Sequence, residues 1–135
     1  MNVIVDTPIW SLAFRRREKP INPYVDILRD LIEDGRVTLL GVVRQEILSG
    51  IRHSEQFERL KDLLRAFPNL TLNIKDYELA ASYFNICRNK GVQGANTDFL
   101  ICAAASRRNY EIFTADKDFE NFSQLLPISI YKIAR

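Results

Sequence analysis

Four carboxylates in this sequence stand where an acid needs a reason. Asp6 ends the apolar run Val3-Ile-Val5 and is followed by Thr7-Pro8, and Glu46 lies within Gly41-Val-Val-Arg-Gln-Glu-Ile-Leu-Ser-Gly50. Asp98 opens the small apolar stretch Asp98-Phe-Leu-Ile-Cys-Ala-Ala-Ala105, and Asp116 follows Ile112-Phe-Thr-Ala115, with Asp118 two residues on. At helical spacing Glu46 shares a face with Val43, Ile47 and Gly50, which puts a glutamate in an apolar stripe. Burying it unpaired is costly or forces its pKa up, so it needs a cation, a basic neighbour or an edge position that reaches water. Asp98 shares its face with Ile101, Cys102 and Ala105 and is expected to point inward. Ordinary roles also exist: Asp6 and Asp98 complement a helix N-terminus, and Asp116 or Asp118 caps the helical turn leading to Phe119 and Phe122.

Brought together, these acids select a chemistry. Two carboxylates ~4 Å apart repel by roughly 4 kcal/mol at an effective dielectric near 20, so a cluster is tolerated chiefly with a divalent cation or a shared proton. The sequence has a single histidine, His53, and two cysteines, Cys87 and Cys102, without CxxC spacing. That removes zinc sites built on several such ligands and weakens any mechanism that shuttles protons through imidazole. Hard oxygen donors alone select Mg²⁺ or Mn²⁺, which sets a Lewis acid and a source of nucleophile beside a phosphate.

Five apolar runs are expected to be strands: Val3 to Val5, Val37 to Leu40, Leu70 to Ile74, Ile112 to Thr114 and Ile128 to Tyr131. Helical patterns cover Pro8 to Phe14, Pro23 to Glu33, Val42 to Leu48, Ser54 to Phe67, Asp76 to Asn89 and Asp98 to Arg108. Thr7 is placed to cap the first, with Pro8 at its first position. Apolar strands alternating with helices predict an α/β domain whose mainly parallel sheet is covered on both faces. Ligands of such sheets bind outside the carboxyl ends of the strands, where Asp6 and Asp116 fall.

With 135 residues, 47% of them hydrophobic, the chain is long enough for one cored domain over 1–135 and too short for two. Nineteen Lys and Arg against seventeen Asp and Glu leave +2, too weak a bias to imply nucleic acid or membrane from bulk charge, so function must come from local clustering. Both cysteines lie in helical sequence and read as buried thiols of a reducing compartment. No basic segment precedes a long apolar one and no apolar run is long enough to span a bilayer, so a soluble cytoplasmic protein is expected.

In order and spacing, Val5-Asp6-Thr7, Glu46-Ile-Leu-Ser-Gly50, Asp98-Phe-Leu-Ile-Cys-Ala-Ala104 and Thr114-Ala-Asp116-Lys-Asp118-Phe119 resemble the PIN-domain family, specifically the VapC-type toxins of toxin-antitoxin pairs. The resemblance spans nearly the whole chain. It implies a three-layer α/β/α sandwich around four to five mainly parallel strands, and a Mg²⁺-dependent endoribonuclease acting on tRNA or rRNA through metal-activated water. Asp6, Glu46, Asp98 and Asp116 form the acidic site it implies, with Asp6, Asp98 and then Asp116 as metal ligands and Glu46 binding metal or orienting the attacking water. Thr7 and Thr114 match hydroxyl positions that support the acids or contact phosphate. Asp118 adds a carboxylate, and either it or Asp116 faces the metal.

An acidic site repels RNA, so nearby cations must draw it in. Arg15-Arg16-Arg17 with Lys19 is the densest candidate, followed by Arg52 with His53 and by Arg88 with Lys90. The resemblance also implies a small antitoxin lying across the N-terminal helices, where Trp10, Leu12, Phe14, Tyr24 and Leu28 could form an apolar groove, and a homodimer that becomes a heterotetramer or larger with it. Two other readings compete. A structure-specific DNA nuclease of PIN-like fold normally needs clamping elements that this length cannot hold. A receiver-like signalling domain should carry an acidic pair after its first strand, which Asp6-Thr7-Pro8 lacks.

Overall fold

The computed structural model describes residues 2–14 and 22–133, so the Arg15-Arg16-Arg17 run and Lys19 lie outside the described residues. The strands are β1 (Val3–Val5), β2 (Val37–Leu40), β3 (Asn69–Leu70), β4 (Glu111–Phe113) and β5 (Ser129–Ile130). The helices are α1 (Thr7–Ala13), α2 (Pro23–Glu33), α3 (Gly41–Leu48), α4 (Ser54–Leu64), α5 (Ile74–Asn89), α6 (Asn96–Arg108) and α7 (Asp118–Leu125). All strand pairs are parallel, in the order β3-β2-β1-β4-β5. β1 and β2 are buried along their whole length, as a sheet covered on both faces requires.

Right-handed crossovers from β1 out to β3 put α1 to α4 on one face, and the return through β4 to β5 puts α5 to α7 on the other. The packing agrees: α1 meets α2 and α3, α3 meets α4, and α5 meets both α6 and α7. The result is the expected three-layer α/β/α sandwich. Chain order reverses between β1 and β4, and the crevice at their carboxyl ends is where such a sheet offers a site.

Several expected boundaries move, each for a local reason. The run Leu70 to Ile74 pairs only over Asn69–Leu70, because Asn73 and Asp76 close a capping box that starts α5 at Ile74 and leaves Ile74 exposed. The turn after Asp116 is a full helix, α7, which buries Phe119 and Phe122. Thr7 is the first residue of α1 and Asp6 itself is the cap, its carboxylate accepting from the Thr7 N–H. Trp10 and Leu28, assigned above to an antitoxin groove, are 1% and 2% exposed and belong to the core, while Leu12, Phe14 and Tyr24 remain half-buried.

One ion cluster ties α5 to α6. Asp76 is wholly buried, yet its carboxylate accepts from Arg107 Nη1 at 2.7 Å, from Arg108 Nη1 at 2.8 Å and Nη2 at 2.9 Å, and from the Asn73 N–H at 2.9 Å. The Arg108 guanidinium, chiefly, holds this carboxyl well below its ordinary value of 3.8. Removing Asp76 leaves the partly buried Arg108 and the more exposed Arg107 without their shared acceptor. Asp76→Ala is therefore expected to cost about 2–3 kcal/mol in urea denaturation at pH 7. Because the folded pKa is depressed, this contribution is fully present above the ordinary value of 3.8 and is lost as pH falls below it, so the gap between wild type and variant should close there.

Candidate active site

Asp6 emerges from β1 beside Phe113 of β4, whose carbonyl accepts the Asp6 N–H at 2.9 Å. The in-register pairing of Val5 with Phe113 sets Thr114 next to Asp6. Both carboxylate oxygens of Asp6 are then taken: Oδ1 accepts the Thr7 N–H at 2.9 Å and Oδ2 accepts the Thr114 hydroxyl at 2.8 Å. The Thr114 oxygen in turn accepts the Asp116 N–H at 3.0 Å, and Asp116 Oδ1 accepts the Asp118 N–H at 2.9 Å. On the other side the Thr7 hydroxyl donates to Glu46 Oε1 at 2.7 Å. Glu46, Thr7, Asp6, Thr114, Asp116 and Asp118 thus form one continuous hydrogen-bonded chain across the crevice.

Glu46 does not occupy the apolar stripe assigned to it. In α3 the stripe is Val43 and Ile47, and Glu46, a full 60° off the Val43 direction at ~3.6 residues per turn, reaches solvent at its margin. This is the edge position among the three outcomes set out for it. Asp98 is half-buried at the head of α6, where its Oδ2 accepts the Ala95 N–H at 3.0 Å. That backbone donor had no sequence signal beyond the residue three places before an aspartate at a helix start. The rest of α6 is the buried helix expected, with Phe99 and every residue from Ile101 to Ala105 in the core. Asp118 is exposed and acts on Asp116 through its N–H.

The acids feel one another. Burial pushes Asp6 up to about 6, opposed by the Thr114 hydroxyl and the Thr7 N–H and reinforced by the charges of Asp98 and Asp116. Burial also raises Asp98, opposed by the Ala95 N–H and reinforced by Asp116, Glu46 and Asp118. On the same helix, burial raises the Cys102 thiol, and Asp98 adds to the effect, which leaves a neutral core thiol with no part in the chemistry. His53 is exposed at the head of α4. The groove of about 410 Å³ between α5 and α6, lined by Tyr77, Phe84, Asn85, Asn96 and their neighbours, holds none of the four acids.

A match to the PIN domain model runs over residues 3–125, from β1 to the end of α7. The chain belongs to the PIN domain family. As a PIN domain it has close structural counterparts, although no curated relative matches it by sequence. It is similar to the structure of VapBC2 from Rickettsia felis bound to a promoter DNA fragment, with TM-score 0.77 and 19% identity over 97% of this chain and 98% of that one. DNA-bound VapBC from Salmonella typhimurium gives TM-score 0.75 and 14% identity over 97% of each chain. A toxin-antitoxin complex from Klebsiella pneumoniae gives 0.68 and 17% over 96% of this chain and all of that one. At these identities the likeness establishes the fold of this PIN domain.

Among the described residues no group of three His, Cys, Asp or Glu side chains is arranged to hold a metal ion as it stands. The donor set is oxygen only, the chemistry that suits a hard cation which retains several waters and takes one or two carboxylates directly. The raised Asp6 makes a pH signature in metal-free protein. With the folded value near 6 against an ordinary 3.8, the native state holds this proton through that window, so stability falls as pH rises from one to the other. Urea midpoints taken in chelator should show wild type losing on the order of 2–3 kcal/mol across the window relative to Asp6→Asn, which has no such proton.

Proposed function

We propose that this PIN domain is a VapC-type toxin, a Mg²⁺-dependent endoribonuclease of the cytoplasm restrained by a small antitoxin. The observation that carries the reading is Asp6, buried at the switch point, hydrogen-bonded through both oxygens and held in the field of Asp98 and Asp116. An acid so placed is unfavourable for the fold and useful for holding a cation. The similarity to structures described as VapBC or toxin-antitoxin complexes supports an antitoxin partner. A homodimer that the antitoxin extends to a heterotetramer or larger completes the proposal.

Asp6 and Asp98 would hold the metal, with Asp116 beside them. Each Asp6 oxygen accepts one hydrogen bond and keeps a second lone pair for a cation. Mg²⁺ bound there would supply a Lewis acid for the phosphate oxygens and make a coordinated water easier to deprotonate. Glu46, with Oε1 committed to Thr7, offers Oε2 to orient the attacking water and take its proton. Thr7 and Thr114 hold Asp6, Glu46 and Asp116 in place before substrate arrives, which lowers the reorganisation the reaction needs. The Arg15-Arg16-Arg17 run supplies phosphate contacts that offset the repulsion between RNA and this acidic edge.

Purified protein and labelled tRNA or rRNA, incubated with Mg²⁺ or with excess chelator, test the reading directly. Cleavage is expected only with the metal, and Asp98→Asn should lower it about 100-fold or more, the scale of losing one preorganised electrostatic contact. Cleavage that survives chelation or the substitution would sink the mechanism. Cutting of structured DNA in place of RNA would point to the other nuclease class.

A further inference from the structure

Asp98 is the one acid outside the hydrogen-bonded chain that joins the others. Its position is set by the Ala95 N–H and by the loop that carries it, and that loop lies on an aromatic wall. Phe99 of α6 packs on Phe84 with centroids 5.6 Å apart and on Phe122 of α7 at 4.9 Å, and Phe122 packs on Phe119 at 5.2 Å. Gly94, immediately before Ala95, is pressed onto this wall: a Cβ there would stand 2.6 Å from Phe122 Cζ and 3.0 Å from both Phe99 Cε2 and Cζ. Phe119 and Phe122 are wholly buried, so the Phe122 ring, the nearer contact at 2.6 Å, has little room to retreat, whereas Phe99 also borders the groove between α5 and α6. Gly94 has no positive φ, which leaves the missing side chain itself as its distinguishing property.

We propose that Gly94 is a positioning residue of the acidic site. Its bare Cα lets the loop before α6 close onto Phe122, which fixes the Ala95 N–H and through it the Asp98 carboxylate. Phe122 belongs to the helix that begins two residues after Asp116, so the same contact sets how far Asp98 stands from Asp116. A side chain at 94 lifts the loop, releases Asp98 from its donor and widens that spacing without touching any acid. The proposal rests on Asp98 being a metal ligand in the nuclease site.

Three variants test it: Gly94→Ala, Gly94→Ala combined with Phe122→Leu, and Ala95→Pro. Ala95 has φ −83°, which proline accepts, so the last deletes the donor N–H and adds nothing at 94. In Gly94→Ala, Mn²⁺ affinity and kcat on RNA are expected to fall, kcat by about 100-fold for a displacement near 1 Å, with KM little changed. Amide exchange at residue 95 should quicken in that variant. Opening space with Phe122→Leu should restore all three readouts, and Ala95→Pro should reproduce the loss of Mn²⁺ affinity. Wild-type Mn²⁺ affinity and exchange in Gly94→Ala, or a loss that Phe122→Leu does not reverse, overturns the proposal. If Gly94→Ala does not fold, wild-type Mn²⁺ affinity in Ala95→Pro does the same. Should wild type itself neither bind Mn²⁺ nor cleave RNA, the nuclease reading fails, and exchange at residue 95 still decides whether Gly94 holds the loop.

Discussion

Asp6 leaves the central strand only 4% exposed, and a carboxylate so placed must have its oxygens satisfied or stay protonated. The fold meets this demand locally. The next residue gives its N–H to one oxygen as α1 begins, and the neighbouring parallel strand delivers the Thr114 hydroxyl to the other. Both donors have further commitments. The Thr7 hydroxyl binds Glu46 and the Thr114 oxygen receives the Asp116 N–H, so satisfying one buried acid also places two more. A serine or threonine hydroxyl can donate once and accept twice, which is why a hydroxyl suits the joint between two acidic residues better than an amide or a second charge.

The same logic explains why the crevice lies where it does. The reversal of chain order between β1 and β4 opens a gap that no crossover helix covers, and polar side chains at the two strand ends reach water there without breaking the core. Asp98 arrives from a different direction, at the head of a helix whose remaining length is buried. Its far end is anchored by Arg107 and Arg108 on Asp76, roughly 15 Å along the axis at 1.5 Å rise per residue. The cluster that stabilises α6 is therefore remote from the cluster that strains its other end. Destabilising charge at the site and compensating charge at the opposite pole occupy one rigid element.

Much of this was legible in the residues. The end of the first strand was marked where its apolar run meets Asp6, the fourth apolar run falls one residue late at both ends, Ile112 to Thr114 against Glu111–Phe113, and the inward face of α6 followed from its unbroken small apolar residues. Features that depend on a single local bond or on distant partners were not. Whether Leu70 to Ile74 forms a strand or yields to a helix turned on the Asn73 and Asp76 capping box, which outweighs alternation over so short a run. Glu46 looked buried because spacing alone cannot say how wide the buried stripe of an eight-residue helix is. The Asp76 cluster joins residues 31 and 32 positions apart, and the Ala95 donor is backbone, so neither leaves a mark in side-chain pattern.

The net charge of +2 takes on a different meaning once the acids are located. Setting aside Asp6, Glu46, Asp98 and Asp116 leaves 19 basic residues against 13 acidic ones elsewhere in the chain. The protein is thus a moderately basic body with a concentrated acidic crevice, and the two parts act oppositely on a polyanion. On the proposed reading, a divalent cation offsets two of the crevice's negative charges and offers a site for phosphate oxygens, so metal and RNA bind with positive coupling, each raising the affinity for the other by the same factor. The burial that lifts Asp6 sharpens this dependence. A proton competes with the cation for that carboxylate as pH falls toward 6, so acid should weaken metal binding first and RNA binding through it.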